Sequence, residues 1–456
     1  VVGYAPLVAR SAMLLVAAFS LLGLFRLAQR VANWEVAVAS TLCTAAYPVF
    51  FAQSSLAQVD LAAAGLTFWG LCAYFEDHSA ETAIWFSLAA LTKETAILAP
   101  LALAGWESLR FLFSKRPMLS KLWDDRLWSS RRAMSLLFPL LPLAFWYAYH
   151  YSRTGYVFGN PEYFRYNVAS TLNPLRFMLA LGLRLWQVFG YLHLWLLTIA
   201  ILIAMLLPPL GDNGFEQRQQ RRIPIPVQMV FLIVVAAYVF SMALIGGAVL
   251  ARYMLPAVPL VIIVAVSTLC RRVPYWPVAI ALVAAAFVLG WFWNPPYGFS
   301  PEDNLAYRDY IVLHENAERF LEARYPMAHV LTAWPASDEL TRPWLGYITR
   351  PMQVVRIEDF SLDEVLSASD FRSHFEVALI FSTKYEPPDT LLEHWTLRRW
   401  PKWEDLKTRF FGFHRDLPPA AAARILGGSV VFSQEHNGQW IAVIEMEKSE
   451  IQEARR

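Results

Sequence analysis

From its first residues to about position 293 the chain is a succession of apolar runs near the length that crosses a bilayer. A hydrocarbon core of about 30 Å takes roughly 20 apolar residues at 1.5 Å rise per residue. Runs near 11–28, 35–52, 58–75, 82–92, 95–113, 133–149, 190–208, 227–247, 253–270 and 276–293 meet or approach that length. In hydrocarbon, backbone N–H and C=O groups must be satisfied within the segment, so each run is expected as a helix. The 82–92 run is short and reads as half of a broken helix paired with 95–113. The expected fold is mainly α: over 1–293, a polytopic transmembrane helical bundle of about 9–10 spans. Pro295-Pro296-Tyr297 then breaks the helical pattern and charges become dense, so 294–456 is expected as a small, water-exposed α/β domain.

Composition narrows the class further. Hydrophobic residues make up 57% and charged residues 17%, against about 45–50% and about 25% in soluble domains. An ordinary cytosolic enzyme is excluded. A disordered or nucleic-acid-binding chain is excluded too, because the net charge is only +2 and no long basic block dominates. The 18 Trp suit a chain with many bilayer-interface positions. Cys43, Cys72 and Cys270 all lie in apolar stretches, which argues against disulfides and zinc.

Charge distribution sets an expected orientation. Linkers 26–34, 110–132, 211–222 and 271–272 are rich in Lys and Arg and belong in the cytoplasm by the positive-inside rule. The loops near 53–60, 93–94, 150–189 and 248–252 then lie outside, with the whole of 294–456. The same rule puts residue 1 outside, so an upstream transmembrane segment and a following loop are expected to precede Val1-Val2-Gly3-Tyr4. In the C-terminal part, His329–Thr332 and Phe375–Phe381 read as buried strands, and Ala317–Arg324 and Asp359–Ala368 have helical spacing. Ser429–Phe432 and Trp440–Ile444 read as a hairpin around His436-Asn437-Gly438.

No phosphate loop, dinucleotide Gly-x-Gly-x-x-Gly, nucleophile elbow or His-Glu-x-x-His is present. What remains are ionisable groups at the rims of apolar runs, which are costly in lipid and mark functional sites. Asp60 precedes Leu61-Ala62-Ala63-Ala64 at an outer mouth. It is either a helix N-cap or a carboxylate that binds a metal, holds a sugar hydroxyl or acts as a base. Lys93-Glu94 sits between two apolar runs, either as a self-neutralising break or as a cation for a phosphate oxygen. Arg252 beside Tyr253 is either an interfacial anchor or an anion clamp. The outer stretch from His150 through Arg153 to Arg165-Tyr166-Asn167 interleaves cations with aromatics, as an interfacial belt does. Glu76-Asp77-His78 reads as a solvated cytoplasmic turn.

Taken in order, several segments resemble the GT-C glycosyltransferases of the dolichyl-phosphate-mannose mannosyltransferase and aminoarabinose transferase type. These are Gly3-Tyr4-Ala5-Pro6-Leu7 with Arg10, Tyr47-Pro48-Val49-Phe50-Phe51-Ala52-Gln53-Ser54 with Asp60, Leu91-Thr92-Lys93-Glu94-Thr95, His150-Tyr151-Ser152-Arg153-Thr154-Gly155 and Arg252-Tyr253-Met254-Leu255-Pro256. The resemblance spans about residues 3–293 and leaves the C-terminal domain aside. It implies sugar transfer from a polyprenyl-phosphate donor to a lipid, glycan or protein acceptor on the outer face of a bacterial inner membrane. The sugar is carried on lipid, so no nucleotide site is required, and nucleic acid is not a partner. Asp60 matches the family's second acidic position, where a divalent metal is an option. The family's main acidic motif lies in a first outer loop upstream of this chain. Lys93 with Glu94, Arg252 with Tyr253, and Arg153 are the implied donor-phosphate contacts. The implied reaction is an inverting displacement at the anomeric carbon. Two other readings use the same membrane frame: a transporter or flippase for a lipid-linked or anionic substrate, and an inactive scaffold presenting the C-terminal domain. A transporter is expected to carry pseudo-symmetric halves, and no such repeat is visible.

Overall fold

A computed structural model describes residues 5–114, 130–157, 173–210, 222–245, 249–385, 401–411 and 414–447. The basic linkers at 115–129 and 211–221, and Arg165-Tyr166-Asn167, lie outside the described residues. The chain divides into two compact units, Arg10–Trp291 and Phe292–Arg456 with Val1–Ala9.

The first unit is helical. Its elements are α1 (Ala5–Val31), α2 (Trp34–Ala46), α3 (Pro48–Gln53), α4 (Val59–Phe75), α5 (Ser79–Thr92), α6 (Leu98–Ser114), α7 (Ser130–Leu137), α8 (Leu140–Thr154), α9 (Pro174–Phe189), α10 (Leu194–Leu206), α11 (Ile225–Ile245), α12 (Val258–Arg272) and α13 (Trp276–Phe292). Among the described residues, three helical stretches are long and apolar enough to cross a membrane, Leu7–Val31, Pro174–Leu206 and Ile225–Ile245. Their most apolar windows are only 22%, 39% and 44% buried within the protein. Most of that apolar surface therefore faces outward, as it does when the solvent is lipid. Val59–Phe75 and Trp276–Phe292 are shorter and equally apolar. The protein is an integral membrane protein.

Local chemistry explains the breaks. Pro48 lacks an N–H and starts a new helix, so the 35–52 run divides into α2 and α3. Lys93 leaves α5 in extended backbone (φ −152°, ψ 125°), and a 3₁₀ turn at Glu94–Ile97 precedes α6. Asn33 caps α2 by accepting the Val36 N–H at 3.0 Å. Small residues let helices approach closely. Gly65 of α4 lies against Ser20 of α1, and Gly70 against the Phe86 ring of α5.

The sequence expectation fails at one place that matters. Residues 150–189 were expected as an outer loop, but Pro174–Phe189 is a helix. Asn173 caps it through the Leu175 N–H at 2.9 Å, and Pro174 follows in the first turn. Leu192 and His193 then adopt positive φ, 43° and 72°, which separates α9 from α10.

The Glu76-Asp77-His78 turn is exposed, as expected. It is not only solvated, because Asp77 holds Arg132 of α7 at 2.8 Å. Glu107 of α6 is buried beside the same arginine, accepts from the Tyr74 hydroxyl, and has Arg110 at 3.4 Å.

The second unit is built on a five-stranded sheet in the order β2-β1-β3-β5-β4. The strands are β1 (His329–Thr332), β2 (Gln353–Arg356), β3 (Val377–Phe381), β4 (Gly428–His436) and β5 (Gln439–Met446). β1 runs parallel to β2 and β3, and β5 runs antiparallel to β3 and β4. Every residue of β3 is buried, which suits a strand covered on both faces. Helices α14 (Ala306–Arg324), α15 (Ala336–Glu339), α16 (Leu362–Ser369), α17 (Pro401–Phe411) and α18 (Pro419–Leu426) accompany it. Leu313, Ala317 and Leu321 of α14 enter the core with Leu331, Leu379 and Val443 of the sheet. The hairpin turn at Asn437-Gly438 has positive φ at both residues, 49° and 77°, which a two-residue turn of primed type requires. The fold class is the expected one, mainly α with a small α/β part following. α14 begins well before the helical stretch read from sequence at Ala317–Arg324, and that extension brings His314 into the helix.

Candidate functional site

Helix lengths bring the first two candidates together. α4 has 17 residues and α5 has 14, so they rise about 25 and about 21 Å. A tight turn joins them, and Asp77 supplies its positive φ of 62°. The start of α4 and the end of α5 therefore lie at nearly one level. Asp60 is in the first turn of α4 and Lys93 caps the end of α5. The Lys93 ammonium donates to Asp60 Oδ1.

Asp60 is not an N-cap. Gln58 occupies that position, without a side-chain cap bond, and the Asp60 carboxylate turns instead toward cations. A carboxylate in the first turn still faces the positive end of the helix dipole. Arg252 Nε lies 3.4 Å from Asp60 Oδ2. Asp60 is 6% exposed, so its charge is compensated by these partners rather than by water.

Arg252 comes from a 3₁₀ turn, Ala251–Met254, that precedes α12. The next residue supplies an aromatic platform. The Lys93 ammonium lies 3.8 Å from the centre of the Tyr253 ring. The guanidinium carbons of Arg184 and Arg252 lie 5.6 and 5.8 Å from the same centre. All three distances are within cation–π range.

Arg184 was not among the sequence candidates for this site. It is fully buried on α9, on one helical face with Arg176, Ala180 and Gln187. Its Nη1 donates to the Leu250 carbonyl at 2.8 Å and to Gln187 Oε1 at 2.9 Å. Gln187 in turn donates to the Val249 carbonyl at 2.9 Å. Two side chains of α9 thus hold the backbone that presents Arg252 and Tyr253. The available signal was the four-residue spacing of Arg176, Ala180 and Arg184 after an Asn-Pro start, which puts polar groups on one face.

The other two candidates are exposed. Glu94 is exposed at the start of its 3₁₀ turn. Arg153 is exposed in the last turn of α8, and among the described residues it has no ion pair with this cluster. Asp60 joins no group of potential metal ligands among the described residues.

No protein-family model matches the chain, and no curated protein sequence matches it. Solved structures similar to it include the following two. One is ArnT from Cupriavidus metallidurans bound to undecaprenyl phosphate, with 13% identity and a TM-score of 0.49, over 95% of this chain and 83% of that one. The other is the same protein in the apo state, with 12% identity, a TM-score of 0.49 and the same coverage.

The cluster has a definite electrostatic character. Among the described residues, Lys93 and Arg252 flank one buried carboxylate and Arg184 joins them at the Tyr253 ring, with Glu94 exposed at the edge. Fixed cations in a low-dielectric setting stabilise a ligand or a developing charge that is anionic.

Proposed function

We propose that the protein is a membrane glycosyltransferase that moves a sugar from a polyprenyl-phosphate donor to an acceptor on the outer face of a bacterial inner membrane. The observation that carries this reading is the convergence of Lys93, Arg184 and Arg252, from three separate segments, on the Tyr253 ring beside Asp60. An anion that is attached to a lipid tail and enters from the membrane suits a cation cluster on an apolar bundle. The sequence also lacks the common nucleotide-binding motifs.

In this mechanism the donor phosphate is the leaving group of an inverting displacement. Its charge grows as the anomeric bond breaks, and Lys93 and Arg252 meet that charge with donors already in place. Arg252 supplies a planar fork and Lys93 a point charge. Asp60 holds both cations in position, and Arg184 with Gln187 holds the backbone beneath them. With two cations on Asp60, its carboxylate orients those cations, and acceptor deprotonation falls to another base. The Phe292–Arg456 unit lies outside the cytoplasm in this scheme.

The test uses membranes containing the protein and radiolabelled polyprenyl-phosphate sugars. Label is expected to pass to an endogenous lipid, glycan or protein acceptor, and Lys93→Gln/Arg252→Gln is expected to stop it. Movement of intact donor across proteoliposomes without covalent transfer would favour a flippase instead.

A further inference from the structure

The second unit buries a cluster that sugar transfer does not use. His314 and Glu318 lie four residues apart on one face of α14, and Glu339 ends α15 opposite them. Their side chains are 1%, 0% and 8% exposed. One donor atom from each lies within 4.8 Å of the other two. His314 Nδ1 is 2.7 Å from Glu339 Oε2 and 3.8 Å from Glu318 Oε1. The imidazole is fixed between the rings of Tyr310 and Phe381, at centroid distances of 4.2 and 4.5 Å.

Two features go beyond a group of acidic residues. Among the described residues, both Glu318 oxygens are buried with no N–H or hydroxyl donor on them, and the group meets only His314 and the Glu339 carboxyl. The set also contains two carboxylates against one imidazole, in surroundings that include the core residues Leu313, Ala317 and Leu340. Burying that much negative charge is costly unless a cation compensates it. The geometry points to a divalent transition-metal site formed by His314, Glu318 and Glu339, with zinc or manganese as the chemical class. One imidazole and two carboxylates are ordinary ligands for these ions. At bond lengths of about 2.1 Å, tetrahedral ligand atoms stand about 3.4 Å apart. The His314–Glu339 pair stands closer than this and the His314–Glu318 pair farther, so an ion between them requires Glu339 to back away and Glu318 to approach. A neutral imidazole and two carboxylates leave no net charge around a divalent ion. The Tyr347 hydroxyl bonds Glu339 and provides an outer contact of the kind that orients a ligand. The ion is a clasp between α14 and the 336–339 turn.

The experiment uses the full chain in detergent, stripped with a chelator and titrated separately with zinc and manganese. Metal content after dialysis and the thermal midpoint are both read. One of the ions is expected to bind at this site with one equivalent per chain and to raise the midpoint. Glu318→Gln and His314→Gln are each expected to lose that equivalent, with an affinity loss larger than the roughly 10–100-fold that outer-shell changes cost. Cobalt(II) substitution gives a second readout that does not need a variant to fold. The wild-type chain is expected to develop the visible bands of a low-coordinate ion. A proton held between the two carboxylates is the competing occupant. In that case no ion binds, or the same equivalent is retained in both variants, and either result overturns the metal site.

Discussion

A buried polar cluster in each unit of this protein sets up a contrast, one rich in cations and the other in carboxyl groups. In the helical unit, Lys93 and Arg252 flank Asp60, and Arg184 joins them at the Tyr253 ring. In the sheet unit, Glu318 and Glu339 flank His314. Removing a carboxylate should therefore have opposite consequences in the two places. In the first it exposes cations to each other, and in the second it removes a carboxyl group that burial and Glu339 hold protonated. The comparison also indicates what each cluster accepts, an anion in one and a cation in the other.

The largest effect is expected at Asp60. Asp60→Ala leaves the half-buried Lys93 and Arg252 without the carboxylate between them. Breaking a buried ion pair from one side costs about 3–5 kcal/mol. The variant should unfold at a distinctly lower temperature in detergent and should lose sugar transfer. Asp60→Asn keeps the shape and should fall between the two. An Asp60→Ala variant with wild-type stability would mean that water compensates the cations, and the contrast between the clusters would fail.

Arg252 comes next. Arg252→Gln should weaken donor binding by about 1–3 kcal/mol, the usual cost of losing a hydrogen bond to a charged group. Arg252→Lys should restore part of this, because a point charge cannot reproduce a fork. Adding Lys93→Gln should cost less than the sum of the single losses, since both cations share Asp60 and one ligand. Donor-binding measurements on the four proteins decide the matter. Full additivity would mean that Lys93 and Arg252 do not share a partner.

At Glu318 the sign reverses. Burial and the neighbouring Glu339 carboxylate push the Glu318 pKa well up. In chelator-treated protein at neutral pH, Glu318→Gln should be neutral to stabilising, by up to about 1 kcal/mol, because the amide replaces a carboxyl already held protonated and can still donate to Glu339. With metal present the same variant should be the less stable one. A Glu318→Gln chain that is destabilised equally with and without metal would remove the contrast with Asp60.

The sequence made one cluster far more legible than the other. Asp60, Lys93 and Arg252 stand out because a charge beside an apolar run is conspicuous, although the 82–92 run understated α5, which starts at Ser79 and so nearly matches α4 in length. Arg184 and Gln187 escaped because their helix carries polar groups on its buried face, so Pro174–Phe189 lacks an unbroken apolar stretch. Glu318 and Glu339 were harder still. In a charged segment such as Ala306–Arg324 a glutamate reads as a surface residue. Its burial depends on α15 folding back from more than ten residues beyond the helix, which periodicity alone does not reveal.

A third group in the sheet unit tests whether surplus charge is the right variable. His414 and Lys384 face Asp359 and Asp416, so the charges balance when the histidine is protonated. Asp416 also accepts the Thr383 N–H at 2.7 Å and its hydroxyl at 2.8 Å. No ligand is expected here, only a pH dependence. The hydrogen bond to Asp416 raises the His414 pKa, outweighing burial and the nearby Lys384 charge. A raised folded-state value means that the folded chain holds the proton more tightly than the unfolded chain. The stabilisation is complete below the unfolded histidine value of about 6.5 and is lost as pH rises through the folded value. For a half-buried pair its size should be about 0.2–1 kcal/mol. The readout is the difference in stability between wild type and His414→Gln across pH, in which the other titrating groups largely cancel. That difference should be largest near pH 5.5 and shrink in alkali. A difference that instead grows with pH would mean that His414 is stabilised as the neutral imidazole, and that this third group is not balanced by the pairing described.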